Sequence, residues 1–173
     1  IYHNHGAQNC AWLKDDLGLH VDQQEYPSEI DQWYADHVSE IEFRPGVPEA
    51  LDLFTAAGCR QCVVSNGRRN SVMLALTAKG IVPRFEFILC KEDYEGRKPD
   101  PAPYLAARIK MEGIVGATID PTHCLAIEDD PLGVASAHAA RLPVIHRRLR
   151  EDDPPAQGAS INVFSEDDFL KAV

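Results

Sequence analysis

Glu128, Asp129 and Asp130 stand side by side where an apolar run, Cys124 to Ile127, gives way to Pro131 and Gly133. Adjacent acids repel one another, and their pKa values rise unless a cation sits among them. Hard carboxylate oxygens at a strand end suit Mg²⁺, which takes one or two such ligands and fills its other positions with water and phosphate oxygens. Taken alone, the triplet also reads as the acidic start of a helix, a common use of such residues. A second turn, Ser65-Asn66-Gly67, follows the apolar Cys62-Val63-Val64. It offers a hydroxyl and several backbone N–H groups at the positive end of the next helix, which makes either a phosphate cradle or a plain polar turn. Lys98 adds a cation that, by itself, would be one more solvated lysine. A hydroxyl-and-amide cradle, a lysine and a carboxylate pair on one sheet edge make a phosphoryl-transfer site, and the set is far more specific than its members.

The elements that must position these groups are short. From residue 46 onward, apolar stretches of strand length alternate with amphipathic helical patterns: Gln61–Ser65, Phe85–Cys90, Cys124–Ile127, Val144–His146 and Ile161–Val163 between helices. The alternation predicts an α/β fold, a Rossmann-like parallel sheet with helices on both faces. In such sheets ligands bind beyond the C-terminal strand ends, where all three segments above fall. Asp100 and Ser165 are placed as helix N-caps. Residues 1–43 read as wholly helical, with a weak helix over Ala7–Leu17 and a clearer one after Pro27 that Ser28 would cap. Arg44-Pro45-Gly46-Val47-Pro48 is a stiff connector. The predicted division is 1–43 as a partial helical cap and 44–173 as the α/β core.

Composition narrows the ligand. The chain has 173 residues, 45% of them hydrophobic, and a formal net charge of -10. That balance argues against non-specific binding to nucleic acid or anionic membrane, so an anionic ligand must be held by a few local cations or a metal. No apolar run approaches a membrane span and no signal-peptide pattern opens the chain, which predicts a cytoplasmic protein. The five cysteines are scattered and make no disulfide framework. Cys59-x-x-Cys62 has no second pair to complete a zinc site and reads as packing. Neither a dinucleotide fingerprint nor a Walker loop is present.

Three stretches, Val63-Val64-Ser65-Asn66-Gly67, Arg97-Lys98-Pro99-Asp100-Pro101-Ala102-Pro103-Tyr104 and Ala126-Ile127-Glu128-Asp129-Asp130-Pro131-Leu132-Gly133-Val134, resemble the second, third and fourth motifs of the haloacid dehalogenase-like (HAD) hydrolase superfamily in type, order and spacing. The likeness covers about residues 43 to 146, and the pattern is nearest to phosphatases and phosphomutases with a small helical cap. The resemblance implies that Ser65 and the Asn66 and Gly67 turn hold a transferring phosphoryl group, that Lys98 pairs with it and with a nucleophilic Asp, and that Glu128 and Asp129 hold Mg²⁺. It implies a phosphatase of a small phosphorylated metabolite, with a phosphosugar mutase or a truncated, non-catalytic phosphate binder as alternatives. The family's first motif, Asp-x-Asp on a central strand, does not occur in this sequence and is expected upstream of Ile1. Two further departures are Asp130 in place of Ser or Thr, and Arg141 in place of the Gly that usually takes a left-handed turn.

Overall fold

The computed structural model describes residues 13–15, 18 and 25–173. Most of the predicted Ala7–Leu17 helix, and Trp12 and His20 with it, lie outside the described residues. Two compact units emerge. The smaller holds α1 (Tyr26–Asp36) and residues 70–80 of α3 and its C-terminal turn, and the larger holds residues 42–69 and 81–173. In the smaller unit the Ser71 hydroxyl donates to Asp31 Oδ1 at 2.8 Å. Ser28 is not the cap of α1: the helix begins two residues earlier at Tyr26, and the Ser28 hydroxyl instead donates back to the Glu25 carbonyl at 2.7 Å. Nor is the stretch wholly helical to residue 43, since a 3₁₀ turn over Val38–Glu40 ends the regular structure. Trp33 stacks on His37 with ring centroids 4.3 Å apart, yet stays 57% exposed, so it is not the packing residue its helical spacing suggests.

The larger unit contains, in order, α2 (Val47–Ala56), β1 (Cys62–Val64), β2 (Phe87–Leu89), α4 (Ala102–Val115), β3 (Ala126–Glu128), α5 (Pro131–Ala139), β4 (Val144–Arg147), β5 (Ile161–Val163) and α6 (Glu166–Ala172), with α3 (Arg69–Ala78) starting from it at Arg69. All the strand pairs are parallel. β4 shows why helices cover both faces. Val144 packs with Tyr104, Ala126, Val134 and Ala137 under α4 and α5, whereas its neighbour Ile145 packs with Ala50, Val163 and Phe169 under α2 and α6. Successive side chains of a strand point to opposite faces, and here each face has its own helices. Burying a residue of this kind contributes about 1.5–3 kcal/mol.

The caps fit the sequence closely. The Asp130 carboxylate accepts from Leu132 N at 2.8 Å, and the Ser165 hydroxyl accepts from Asp168 N at 3.1 Å. Asp100 accepts from Ala102 N at 2.7 Å, although α4 starts one residue later than the sequence suggests. Arg141 takes the left-handed turn with φ of 66°. Among the described residues the parallel strands fall into two sets, β1-β2 and β3-β4-β5, as expected of a core whose family motif on a central strand does not occur in the sequence. Between them runs a slot of about 850 Å³, and consecutive residues of both β1 and β3 line it.

Candidate functional site

The site forms at the C-terminal ends of β1 and β3. Lys98 sits on the loop between β2 and α4, and its side chain crosses back to the strand ends. The ammonium donates to the Val64 carbonyl at 3.0 Å and to Glu128 Oε1 in a close ion pair. Both side chains are more than nine-tenths buried. One lysine thus ties the end of β1 to the end of β3 across the slot. Its backbone N–H donates to Asn66 Oδ1 at 3.2 Å, which fixes the Lys98 loop on the Ser65 turn.

Glu128 is held from three sides. Tyr104, on the first turn of α4, donates its hydroxyl to the Oε1 that Lys98 also contacts. A Cβ on Gly133 would fall directly on the Glu128 carboxylate, whose atoms are its three nearest neighbours. Glycine at 133 therefore makes room for the acid against the start of α5. Burial pushes the Glu128 carboxyl above its ordinary range, while Lys98 and the Tyr104 bond pull it back and the Asp129 charge pushes it up again. Burial and the Glu128 charge together drive the Tyr104 phenol far upward, so it stays protonated and donates.

Asp129 differs from its neighbour. Its carboxylate is 53% exposed and lies 3.8 Å from the Arg44 guanidinium. Asp130 turns away to cap α5. At the Ser65 turn, Gly67 N–H donates to Ser65 Oγ at 3.0 Å, and the Tyr94 hydroxyl donates to the Ser65 carbonyl at 2.6 Å. Burial pushes the Tyr94 phenol up to about 12. Ser65, Asn66, Gly67, Lys98, Glu128 and Asp129 all line the same slot.

The structure thus brings together every residue singled out from the sequence, and adds Tyr104, Tyr94 and Gly133. Their signal was weak. Tyr104 falls on the apolar stripe of α4, where an aromatic ring usually means packing, and only its phenol end serves the site. Carboxylate oxygens suit Mg²⁺ in chemistry. Glu128 and Asp129 supply such oxygens, but among the described residues no three His, Cys, Asp or Glu side chains converge as a metal site.

The family model for haloacid dehalogenase-like hydrolases matches residues 12–146. The chain belongs to that family. Among its curated relatives, CbbY of Rhodobacter capsulatus is 35% identical over 104 residues, a stretch that covers 58% of this chain and 43% of CbbY. A phosphoglycolate phosphatase of Thiobacillus denitrificans is 34% identical over 113 residues, covering 64% of this chain and 47% of the phosphatase. The chain thus spans less than half the length of these relatives. Among solved structures, CbbY of Rhodobacter sphaeroides in complex with phosphate superposes with a TM-score of 0.70 at 19% identity, over 86% of this chain and 66% of that one. The β-phosphoglucomutase of Clostridium difficile gives 0.72 at 17% identity, over 96% and 75%. These likenesses carry the HAD fold, with its Rossmann-like core, onto this chain.

Proposed function

We propose that this chain belongs to a Mg²⁺-dependent HAD phosphatase that acts on a small phosphorylated metabolite through an aspartyl-phosphate. The observation that supports this most is the Lys98 ammonium, buried between the Val64 carbonyl and Glu128 and next to the Ser65 turn. A buried cation beside a hydroxyl and exposed turn amides is positioned for a dianionic phosphoryl group. In this reading Ser65 and the Asn66-Gly67 amides bind the phosphoryl oxygens. Lys98 screens the repulsion between that group and the attacking carboxylate. Glu128 and Asp129 hold Mg²⁺, whose charge offsets that of the phosphoryl oxygens when it is bound. Tyr104 and Gly133 orient Glu128. Residues 1–43 form part of a helical cap over a core of 44–173.

The nucleophilic Asp is assigned to an Asp-x-Asp strand upstream of Ile1. The slot between β1 and β3 supports that assignment, because parallel strands flank it on both sides and the open edges lack their ladder partners. A strand laid there would end beside Lys98 and Glu128.

The test uses the full-length protein with p-nitrophenyl phosphate, with and without Mg²⁺. Asp129→Asn should lower turnover by about a thousandfold or more while leaving the fold intact, because Asp129 is exposed. Lys98→Ala should abolish turnover and also lower stability by about 3–5 kcal/mol, since it leaves Glu128 buried without its cation. Undiminished turnover in either variant refutes the assigned roles. Isomerisation of a sugar phosphate in place of phosphate release would move the reading to a phosphosugar mutase. Phosphate binding without turnover would move it to a non-catalytic relative.

A further inference from the structure

Outside the strand-end site, one buried cation has no anion within hydrogen-bonding distance among the described residues. Arg147, the last residue of β4, is only 5% exposed. Its Nη2 donates to the Pro45 carbonyl at 3.3 Å, but Nε and Nη1 have no hydrogen-bond partner and are closed to water. The guanidinium lies over the Phe169 ring at 5.3 Å. Arg44 stands next to it and donates to the carbonyls of Arg147 at 3.1 Å and Arg148 at 2.6 Å. Both arginines line a cavity of about 400 Å³ together with Ser165 and Glu166. Burial, and then the Arg44 charge, push the Arg147 guanidinium below its usual range, and only the Glu166 carboxylate acts against them from beyond hydrogen-bonding distance.

A guanidinium stays protonated in proteins, so this charge cannot be relieved by losing a proton. Buried charges persist when paired, and one left unpaired costs several kcal/mol. The Ser165 hydroxyl is already committed to Asp168. Two like charges converging on one small cavity would repel, unless an anion between them turns repulsion into a clamp.

We propose that the Arg44–Arg147 cavity binds a small oxyanion of the phosphate or carboxylate class, which takes the free N–H groups of Arg147 in a bidentate pair. Binding requires the Arg147 fork to turn toward the cavity, and among the described residues that turn breaks one side-chain hydrogen bond, the 3.3 Å bond to Pro45. The site is distinct from the Ser65–Lys98 cradle, although Arg44 links the two by standing 3.8 Å from Asp129. It does not depend on the proposed phosphatase activity, because binding is expected whether or not the protein turns over an ester.

The test is isothermal titration of inorganic phosphate into the full-length protein in carboxylate-free buffer stripped of metal on a chelating resin, with thermal melts in parallel. The Lys98→Ala variant removes the cradle's cation and should still bind one phosphate per chain at the arginine pair. Arg147→Met, of similar volume and without charge, should weaken that binding at least about tenfold and lose the rise in melting temperature that phosphate gives. Its melting temperature without phosphate should equal or exceed the wild type's, since a buried unpaired charge has gone. Failure of Lys98→Ala, shown folded by its melt, to bind phosphate overturns the proposal, and Lys98→Met with Glu128→Gln, which leaves no buried charge unpaired, decides the matter should either single variant not fold. Equal phosphate affinity in Arg147→Met and wild type also overturns it. So does a melting temperature several degrees lower for Arg147→Met in phosphate-free buffer, which would mean that a carboxylate of the polypeptide, Glu166 or another, already pairs with Arg147.

Discussion

β4 and β3 are neighbours in one sheet, yet they live in different surroundings. β4 has a parallel partner on each side and is buried at every residue from Val144 to Arg147. β3 has a partner on one side only, and Ile127 at its centre is 39% exposed. β1, across the slot, has the same character, with β2 on one side and none of its residues fully buried. The contrast separates a half whose central strand is paired and buried on both sides from one whose strands have open edges among the described residues. It also shows how the site is held at present. Where the ladder is missing, charged and polar side chains do the joining: Lys98 reaches from the Val64 carbonyl to Glu128, and Tyr104 fastens the same acid from α4.

Core truncations give the largest way to break this comparison. Phe169→Ala empties the buried side of the paired half and should cost about 3–5 kcal/mol by denaturant melts. Ile127→Ala in the 173-residue chain should cost about 1 kcal/mol or less, because much of that side chain already faces water. If the proposed Asp-x-Asp strand fills the slot in a longer protein, the Ile127→Ala cost there should rise to about 2–4 kcal/mol. Equal costs for the two substitutions in the 173-residue chain would erase the distinction between the halves.

Gly133→Ala comes next and probes the join. A methyl at this position collides with the Glu128 carboxylate, so the acid must leave Lys98 and Tyr104 or α5 must shift. Overpacking of this kind costs about 1–3 kcal/mol. Phosphatase turnover in the full-length variant should fall with it, read as kcat on p-nitrophenyl phosphate. An unchanged kcat would mean that the position of Glu128 does not matter to the site.

These features were unequally legible in the sequence. The acidic triplet, the Ser65 turn and Lys98 could be found because each departs from what a buried strand or a plain loop requires, and because they recur in order. The helix start at Ser165 was readable from local hydrogen-bonding rules, whereas the cap made by Asp130 was not, because a third acid beside Glu128 and Asp129 suits a metal as well as a helix start. Tyr104 was not, because packing and donating a hydrogen bond use the same residue type and differ only in where the ring's far end lands. Gly133 was hidden for a related reason: its requirement comes from a carboxylate five positions earlier in sequence, brought close by the turn between β3 and α5. Strand patterns report that a strand exists and not which edge it leaves open, so the division of the sheet was legible through the family resemblance, which implied that a central strand was missing. Ser28 was misplaced because Ser, Asn and Asp near a helix start compete as caps, and here the backbone turned helical before the serine was reached.

Tyr104→Phe should have a smaller effect than Gly133→Ala and sharpens the account of how Glu128 is held. The ring still packs with Val134 and Val144, so only the hydroxyl is lost. Glu128 keeps Lys98 but gives up one hydrogen bond, at a cost of about 1–2 kcal/mol. Chemical denaturation of the two proteins measures this directly. A neutral result would show that Lys98 alone holds the acid.

The smallest expected effect is acid sensitivity, and it returns to the two halves. Asp93, in the loop after β2, accepts from Cys90 N at 2.6 Å and pairs with Arg69. The Cys90 backbone bond, then Arg69, hold its carboxyl below the usual aspartate range. A depressed folded pKa means that this stabilisation is fully present above the unfolded value, about 4, and is lost as pH falls through the folded one. The β1-β2 half should therefore loosen in acid before the apolar packing around Val144 and Ile145, because the other depressed carboxyls, Asp120 and Asp153, lie in turns outside the strands and the Glu128 carboxyl is raised, so acid does not weaken the fold through it. Amide exchange should show protection at Cys62–Val64 falling as pH drops below about 4 while Val144–Arg147 remains protected. Asp93→Asn should remove most of that difference, because the amide no longer titrates. If both halves open at the same pH in wild type and variant alike, the join at the slot couples them more tightly than Lys98 and Tyr104 alone would allow.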